Sequence, residues 1–313
     1  MGERLSTSLV AADEAFSFWA DLICEVYVGL DCNAPSSQGF SGGIERTGLG
    51  EVVASKVEAD GQRVRRSPRR IRAQPSSDVL LSLHLSGPAT IVQDDRAAVL
   101  KPGDLTLYDA TRPYDIILDD HFSMLVFQMP RTLLESRVGH LRRWTARRID
   151  GSRGAGRLAS RYLRAVHEEA TALDVRPEAV IAPGLDLVAS ALSRVPPSTE
   201  EESGRGALLI AAKDLIETRL TEDHVTRQQL AAQLNVSVRQ LTRLFAEEGT
   251  SPGAYLRERR LQAARRCLMH RGDLGISEVA HRYAFSDASH FSRCFRERFG
   301  MSPRDYRSSH ASA

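Results

Sequence analysis

Apolar side chains recur along this chain with two different periods. Near the N-terminus Phe16, Trp19, Ile23 and Tyr27 are three or four positions apart, which predicts an amphipathic helix over residues 11–28. Between residues 48 and 130 the apolar positions instead alternate or form short runs that Gly, Pro and Asp separate. This pattern is typical of an antiparallel barrel or sandwich. The best-defined strands are predicted at residues 79–85, 104–108, 114–118 and 122–129.

Helical spacing returns after the strands. Residues 156–173 and 177–194 carry apolar side chains three and four positions apart, and they predict a two-helix hairpin that can pack against a second subunit. Residues 193–206 (SRVPPSTEEESGRG) then offer almost nothing to bury, which predicts a flexible linker. The rest of the chain is predicted to be helical. A length of 313 residues suits two domains rather than one.

Composition predicts a globular protein of the cytoplasm. Its residues are 42% hydrophobic and 26% charged, and no apolar run approaches the ~20 residues of a membrane helix. The N-terminus lacks the apolar stretch of a signal peptide, so we expect no membrane association. The four cysteines form no CxxC pair, so neither a zinc site nor a disulfide framework is expected.

The net charge of +2 conceals an uneven distribution. From residue 207 to the end there are 17 Lys and Arg residues against 12 Asp and Glu residues, an excess of +5. The preceding part has 25 against 28, a net charge of −3. A basic C-terminal part suits a polyanionic partner, although solvated helical surfaces often carry a similar excess.

The C-terminal third contains an internal repeat. Residues 226–255 (TRQQLAAQLNVSVRQLTRLFAEEGTSPGAY) are echoed by residues 277–306 (SEVAHRYAFSDASHFSRCFRERFGMSPRDY) at offsets of 49 to 51 positions. The matched features are Ala231 with Ala280, Val236 with Phe285, Arg243 with Arg293, Phe245 with Phe295, and Ser251-Pro252 with Ser302-Pro303. So many matches at a nearly constant offset indicate a duplicated unit.

Each repeat has the order of a helix-turn-helix motif: a first helix with a small alanine, a brief turn, and a capped second helix. Ser237 is the expected cap in the first repeat, and Ser286 or Asp287 in the second. The apolar stripe of each second helix leaves a polar set facing away. The outward residues are Arg239, Gln240, Thr242 and Arg243 in the first repeat, and Ala288, Ser289, His290, Ser292 and Arg293 in the second.

These outward side chains suit the major groove of DNA. Arg pairs with guanine through two hydrogen bonds, whereas Thr, Ser and His form single hydrogen bonds or contact thymine methyl groups. A position near the start of a second helix is that of a recognition helix, where Ser237 joins the predicted DNA-binding set. The alternative is a solvated face of a generic helical bundle. It explains neither the repeat nor the matched Arg243 and Arg293.

One continuous helix is predicted to connect the repeats. Residues 254–270 span about 25 Å at 1.5 Å per residue. A rigid connector of that length suits two recognition helices near the ~34 Å repeat of successive major grooves, so that one monomer reads two groove segments. Its arginines are expected to face solvent for the most part, with some phosphate contacts among them. They are Arg257, Arg259, Arg260, Arg265 and Arg266.

The C-terminal third resembles the AraC/XylS family of transcription regulators. The pattern consists of Ala231, Ser237, Leu241, Arg243, Phe245, Ser251-Pro252 and Tyr255, followed by Ile276, Ala280, Phe285, Phe291, Arg293, Phe295, Phe299-Gly300, Ser302-Pro303 and Tyr306. The resemblance implies binding to double-stranded promoter DNA and activation through RNA polymerase. It assigns base reading to Arg239, Thr242 and Arg243, and to Ser289, His290 and Arg293 in the second unit.

The resemblance also implies a fold for the N-terminal part. Sensor domains of this family are cupin-like barrels that bind a small-molecule effector, and residues 100–114 (LKPGDLTLYDATRPY) resemble their turn-and-strand signature. The expected fold class is α+β multidomain, with a cupin-like β-barrel and flanking helices before an all-α domain of two helix-turn-helix units joined by a long helix. The expected boundaries are 1–153 for the sensor, 154–194 for a hairpin able to form a homodimer, 195–206 for the linker and 207–313 for the DNA-binding domain.

An effector pocket is predicted inside the barrel. Alternation along residues 79–85 places Leu80, Ser82 and His84 on one face, a mixture that suits an apolar ligand oriented by a few polar groups. Further candidates for the pocket are Tyr108, Tyr114 and Gln128. Core packing is the alternative role for each of them.

A cupin-type metal-dependent enzyme with an accessory DNA-binding tail is the alternative function. Metal-dependent cupins need clustered His residues with a carboxylate, whereas His84 and His121 stand alone here. The sequence contains no nucleophile elbow, phosphate loop or dinucleotide motif. We therefore expect no catalytic residue, metal or cofactor. The basic run from Arg63 to Arg72 is expected to be a solvated loop, or else to capture an anionic ligand or an acidic protein surface.

Overall fold

The computed structural model describes residues 3–34, 39–170, 172, 176–195, 200–247, 249–270 and 274–310. The chain forms two compact units, Met1–Gly206 and Ala207–Ala313. The first combines two antiparallel sheets with helices and the second is helical, which confirms the expected fold class. Within the described ranges, no helix is both long and apolar enough to cross a membrane.

Eleven strands form the two sheets of the N-terminal unit among its described residues. The six-stranded sheet runs in the order β1 (Glu3–Ser6), β3 (Gly42–Leu49), β4 (Val52–Ala59), β11 (Phe122–Pro130), β6 (Asp78–Ser86) and β9 (Leu105–Asp109). The five-stranded sheet runs in the order β2 (Asp31–Asn33), β5 (Gln62–Arg66), β10 (Tyr114–Leu118), β7 (Ala89–Gln93) and β8 (Arg96–Leu100). The four best-defined predicted strands correspond to β6, β9, β10 and β11.

The six-stranded sheet is covered on both faces, which is why its central strands are so apolar. Leu80 of β6 packs in the core between the two sheets, together with α1 (Ala15–Val26). The neighbouring Leu81 and Leu83 point the other way and pack under the helices that follow the strands. The alternation predicted for residues 79–85 is therefore present in the structure.

The predicted helical hairpin is formed by α4 (Gly154–Glu169) and α5 (Pro177–Leu192). Its apolar face is buried against the six-stranded sheet of its own chain, because Leu163 and Leu185 share a core with Leu81. The side chains expected to meet a second subunit thus already have partners. Two shorter helices complete this unit, α2 (Pro68–Ala73) and α3 (Arg131–Val138).

The predicted linker is shorter than expected. Helix α6 (Glu200–Glu217) begins inside it, and residues 196–199 of the linker lie outside the described residues. Residues 200–206 were assigned to the linker because their sequence offers almost nothing to bury.

The basic run between Arg63 and Arg72 is mostly engaged within the fold. The fully buried Arg66 donates to the carbonyl oxygens of Gly29 (2.7 Å), Gln74 (2.6 Å) and Ala110 (3.3 Å). The other ion pairs of the run join Arg63 and Arg65 to Asp115, and Arg70 to Asp31. The solvated-loop interpretation is wrong for these residues, since they lie in β5 and α2 and form ion pairs or hydrogen bonds within the fold.

The C-terminal unit is built from helices alone in its described residues. After α6 they are α7 (Arg227–Gln233), α8 (Val238–Glu247), α9 (Pro252–His270), α10 (Ile276–Arg282), α11 (Ala288–Phe299) and α12 (Pro303–His310). Helix α9 is the predicted connector, two residues longer at its start than predicted. The Ser-Pro pairs begin α9 and α12, because Ser251 and Ser302 accept a backbone N–H, each at 3.2 Å, and proline suits the first helical position.

Candidate nucleic-acid interface

The two helix-turn-helix units share one backbone turn. In both units one residue of the turn has a left-handed backbone conformation, with a φ of 53° at Asn235 and 55° at Ala284. The following N–H, of Val236 or Phe285, donates back to the carbonyl of the buried Ala231 or Ala280, in both cases at 3.0 Å. The duplication seen in the sequence is therefore also a duplication of backbone geometry.

Each second helix starts at a capping side chain. Ser237 accepts the backbone N–H of Gln240 at 3.1 Å, and Asp287 accepts that of His290 at 2.7 Å. The hydrogen bond from the His290 backbone is the main reason why the pKa of Asp287 is lowered. The capping residues Ser237 and Asp287 are 50 positions apart, whereas the left-handed residues Asn235 and Ala284 are 49 positions apart. The second unit therefore has one extra residue, Ser286, between its turn and its recognition helix.

The caps fix which side of each recognition helix faces solvent. In α8 the buried stripe is Leu241, Leu244 and Phe245, and in α11 it is Phe291, Cys294 and Phe295. Arg239, Gln240 and Arg243 are exposed on α8, and Ser289 and Arg293 on α11. Arg243 and Arg293 occupy equivalent positions, each six residues after its cap.

Three predicted base-reading side chains have local hydrogen bonds. The amide oxygen of Gln240 accepts the Ser237 N–H at 2.9 Å, which leaves only its amide hydrogens for DNA. The half-buried Thr242 donates its hydroxyl to the Val238 carbonyl at 2.8 Å. A 3.0 Å hydrogen bond joins the His290 ring to Ser286. The arginines of the predicted DNA-binding set, Arg239 and Arg243 on α8 and Arg293 on α11, are exposed.

The arginines of α9 do not face solvent for the most part, and this expectation is wrong. Arg259 is 3% exposed and forms an ion pair with Glu217 at 2.5 Å, while Arg260 donates to three backbone carbonyls. Arg265 lies over the Phe299 ring at 5.3 Å, and burial lowers the pKa of Arg266 to about 10. Of the five, Arg257 is exposed. Sequence spacing could not reveal these partners, because they come from other helices.

The interior of the β-domain holds a small cavity of about 40 Å³ between its sheets. Tyr108 and Tyr114 both line it, with ring centroids 4.9 Å apart, and Tyr27 joins them from the end of α1. A 3.0 Å hydrogen bond joins the hydroxyl groups of Tyr108 and Ser82. Burial raises the pKa of Tyr108 to about 12. Tyr27 was absent from the candidate set because it was assigned to the apolar face of the first helix.

The other two predicted ligand contacts do not line this cavity. Gln128 donates to a carboxylate oxygen of Asp78 at 2.6 Å. His84 is fully buried, and its Nε2 is hydrogen bonded to the carbonyl oxygen of Gly87. Burial lowers the pKa of His84, which keeps the ring neutral. No group of three His, Cys, Asp or Glu side chains with metal-binding geometry occurs in the described part of the chain.

A barrel-like domain followed by two capped helix-turn-helix units defines a class of DNA-binding regulators. Residues 19–193 match the model of an AraC-binding-like domain, and residues 230–309 match a helix-turn-helix domain. The transcriptional activator NphR of Rhodococcus sp. is 32% identical over 298 residues, which cover 94% of this chain and 89% of NphR. The chain therefore belongs to the AraC family of DNA-binding transcriptional activators.

Two further similarities concern an uncharacterised relative and a solved structure. An uncharacterised protein in the nit 5′ region of Bacillus sp. (strain OxB-1) is 39% identical over 193 residues, 61% of this chain and 75% of that protein. The crystal structure of the AraC-like transcriptional activator CuxR has a TM-score of 0.57 and 20% identity, and covers 84% of this chain and 95% of CuxR. At that identity, the likeness to CuxR is one of fold.

Proposed function

We propose that this chain is an effector-responsive activator that reads two successive major-groove segments of a promoter with α8 and α11. The observation that carries the proposal is the equivalent placement of the exposed Arg243 and Arg293, one on each recognition helix. Both follow a capped helix start, so both guanidinium groups project from the first two turns of the helix, the part that meets base edges.

The two surfaces differ in what they offer to DNA. Helix α8 presents Arg239 and Arg243, whereas α11 presents Ser289 and Arg293. Because a guanidinium can form two hydrogen bonds with guanine and a hydroxyl cannot, the first unit supplies more of the base discrimination. Gln240, Thr242 and His290 have secondary roles, through the Gln240 amide hydrogens, the Thr242 methyl group and the second ring nitrogen of His290. Ser237 contributes as the cap.

The effector binds in the interior of the β-domain, against Tyr108 and Tyr114. A volume of about 40 Å³ accommodates water molecules rather than a metabolite, so the effector has to select a state in which the sheets are further apart. The lining favours a small, mostly apolar molecule with one hydrogen-bonding group. RNA polymerase is the protein partner that activation requires, and a homodimer would have to use surfaces other than the apolar face of α4 and α5.

The experiment compares binding to promoter fragments that the purified chain selects from genomic DNA. Arg243→Ala and Arg293→Ala should each weaken binding by about 1–3 kcal/mol, and the loss should be larger for Arg243→Ala. The ratio of affinities for selected and scrambled DNA should fall in both variants, because base contacts carry sequence information. Arg304→Ala changes an exposed arginine of α12, outside both recognition helices, and should leave this ratio unchanged.

Unaltered sequence preference in the double variant would refute the site. Equal losses from the two single variants would refute the ranking of the two units. Repeating the titrations with candidate effectors tests the sensor, since a true effector changes promoter affinity and loses this effect in Tyr108→Phe, which removes the hydrogen bond to Ser82.

A further inference from the structure

The N-terminal unit has a second and larger cavity, which lies outside the barrel interior. Its volume is about 390 Å³, within the range of small-molecule sites. It is bounded by the outer face of the six-stranded sheet and by α4, and it shares no lining residue with the interior cavity. We refer to it as the sheet–helix pocket.

The floor of the sheet–helix pocket is one row of cross-strand neighbours. Arg4 of β1 pairs with Glu45 of β3, Glu45 pairs with Lys56 of β4, and Lys56 pairs with Leu125 of β11. Side chains of directly paired residues point to the same face of a sheet. The row therefore passes from charged side chains at the sheet edge to an apolar end, where Leu85 also lines the pocket.

The opposite wall is provided by α4. Arg164, His167 and Glu168 are three and four positions apart and so lie on one face of the helix. Arg164 is exposed and forms no ion pair with any described residue. The Nδ1 atom of His167 is buried and has no hydrogen-bond partner in the described part of the chain.

The lining of the pocket is cationic. Three basic side chains face it, Arg4, Lys56 and Arg164, against the two carboxylates of Glu45 and Glu168. Glu45 is already paired with Arg4 at 3.4 Å, and Lys56 has a half-exposed ion pair with Glu58 at 3.5 Å, so Arg164 is the cation of this set with no ion pair among the described residues. Burial lowers the pKa of His167, so its ring is neutral and adds no charge. An unpaired guanidinium opposite Lys56, next to two leucines, favours a ligand that is anionic at one end and apolar at the other.

We propose that the sheet–helix pocket binds a small organic anion. Its carboxylate or phosphate lies between Lys56 and Arg164, and its apolar body rests on Leu85 and Leu125. The site is distinct from the interior cavity, so this proposal does not depend on the effector site suggested above. A ligand held by β4 and α4 together stabilises the packing of the α4–α5 hairpin on the sheet.

Isothermal titration of the full-length chain tests the proposal with three anionic probes, sodium benzoate, sodium hexanoate and inorganic phosphate, and with benzyl alcohol as a neutral match for benzoate. We expect benzoate or hexanoate to bind more tightly than phosphate, and benzyl alcohol not to bind. Arg164→Gln and Lys56→Gln should each weaken binding of the organic anion about tenfold, as expected for the loss of one charge-assisted hydrogen bond.

Arg157→Gln is the matched control, because Arg157 is an exposed arginine of the same helix, two turns before Arg164 and outside the lining. Arg157→Gln should bind the organic anion with the same dissociation constant as the unmodified chain. Without ligand, all variants should have the melting temperature of the unmodified chain. Absence of binding by benzoate and hexanoate would overturn the proposal, even if phosphate bound, because phosphate alone would assign no role to the leucines. An unchanged dissociation constant in Arg164→Gln and Lys56→Gln would also overturn it, and would locate the probe elsewhere.

Discussion

Replacing Arg260 by methionine should destabilise the DNA-binding domain, although an arginine on the connecting helix first suggests a phosphate contact. The guanidinium of Arg260 donates to the carbonyl oxygens of Leu220 (3.0 Å) and Glu222 in the loop after α6, and of Ala284 (3.2 Å) in the turn of the second unit. Ala284 is the left-handed residue of that turn. Arg260 therefore holds the strained turn to the loop that precedes the first unit.

The size of the effect follows from these three hydrogen bonds. A hydrogen bond to a charged group contributes about 1.5–3 kcal/mol when it is well buried. Arg260 is half-buried, so water competes for its donors, and about 1 kcal/mol for each bond is a better figure. Methionine keeps the apolar stem, so the loss should be about 3 kcal/mol in the free energy of unfolding. For a domain of roughly 100 residues this lowers the melting temperature by about 15 °C.

Two measurements separate the structural role from a phosphate contact. A structural Arg260 predicts a lower melting transition of the DNA-binding domain, and an unchanged slope of log affinity against log salt below that transition. A phosphate contact predicts an unchanged transition and a slope reduced by about 0.9. Arg257→Met, at an exposed position of the same helix, should leave the stability unchanged. A reduced slope together with an unchanged melting temperature in Arg260→Met would refute the reasoning.

Two other perturbations test the sensor core and the second recognition helix. Arg66→Met should cost about 3 kcal/mol or more in urea denaturation, because the carbonyl oxygens of the buried Gly29 and Ala110 and the part-buried one of Gln74 lose their donor. A loss below about 1 kcal/mol would contradict this. Asp287→Ala should lower the melting temperature at neutral pH. The stabilisation by the ionised Asp287 cap is complete above the pKa of an unfolded Asp, about 3.9, and is lost as the pH falls through the lower pKa of the folded state. The difference in melting temperature between Asp287→Ala and the unmodified chain should therefore shrink in acid. A difference in melting temperature that is independent of pH would contradict this reasoning.

Local patterns predicted the elements well, because each depends on a short stretch of sequence. The alternation of residues 79–85 located β6 and the faces of Leu80 and Leu81, and the repeat located α8 and α11. Contacts between distant segments were not predictable in this way. Arg260 meets Leu220 forty positions earlier, and spacing along α9 carries no sign of that partner.

The same limit applies to the two cavities of the N-terminal unit. Tyr108 and Tyr114 could be assigned to the barrel interior, but its small volume results from side-chain packing that no periodicity describes. The sheet–helix pocket depends on the register of β1, β3 and β4, and β1 and most of β3 precede the stretch in which strands were predicted. Gln128 is predicted to contact the ligand, whereas it does not line the interior cavity and its amide donates to Asp78, a contact that the pattern of one strand does not reveal.

Both cavities border the same layer of the sensor, and this suggests how ligand binding reaches the reader. A ligand in the interior has to separate the sheets, and so displaces the six-stranded sheet on which α4 and α5 pack. A ligand in the sheet–helix pocket acts on α4 directly. Helix α5 ends at Leu192 and α6 begins at Glu200, so the hairpin is also the last part of the sensor before the DNA-binding domain along the chain. Under the two proposals made above, an apolar and an anionic ligand would both act on the hairpin, and either would change promoter affinity only as far as it favours one arrangement of the hairpin over another.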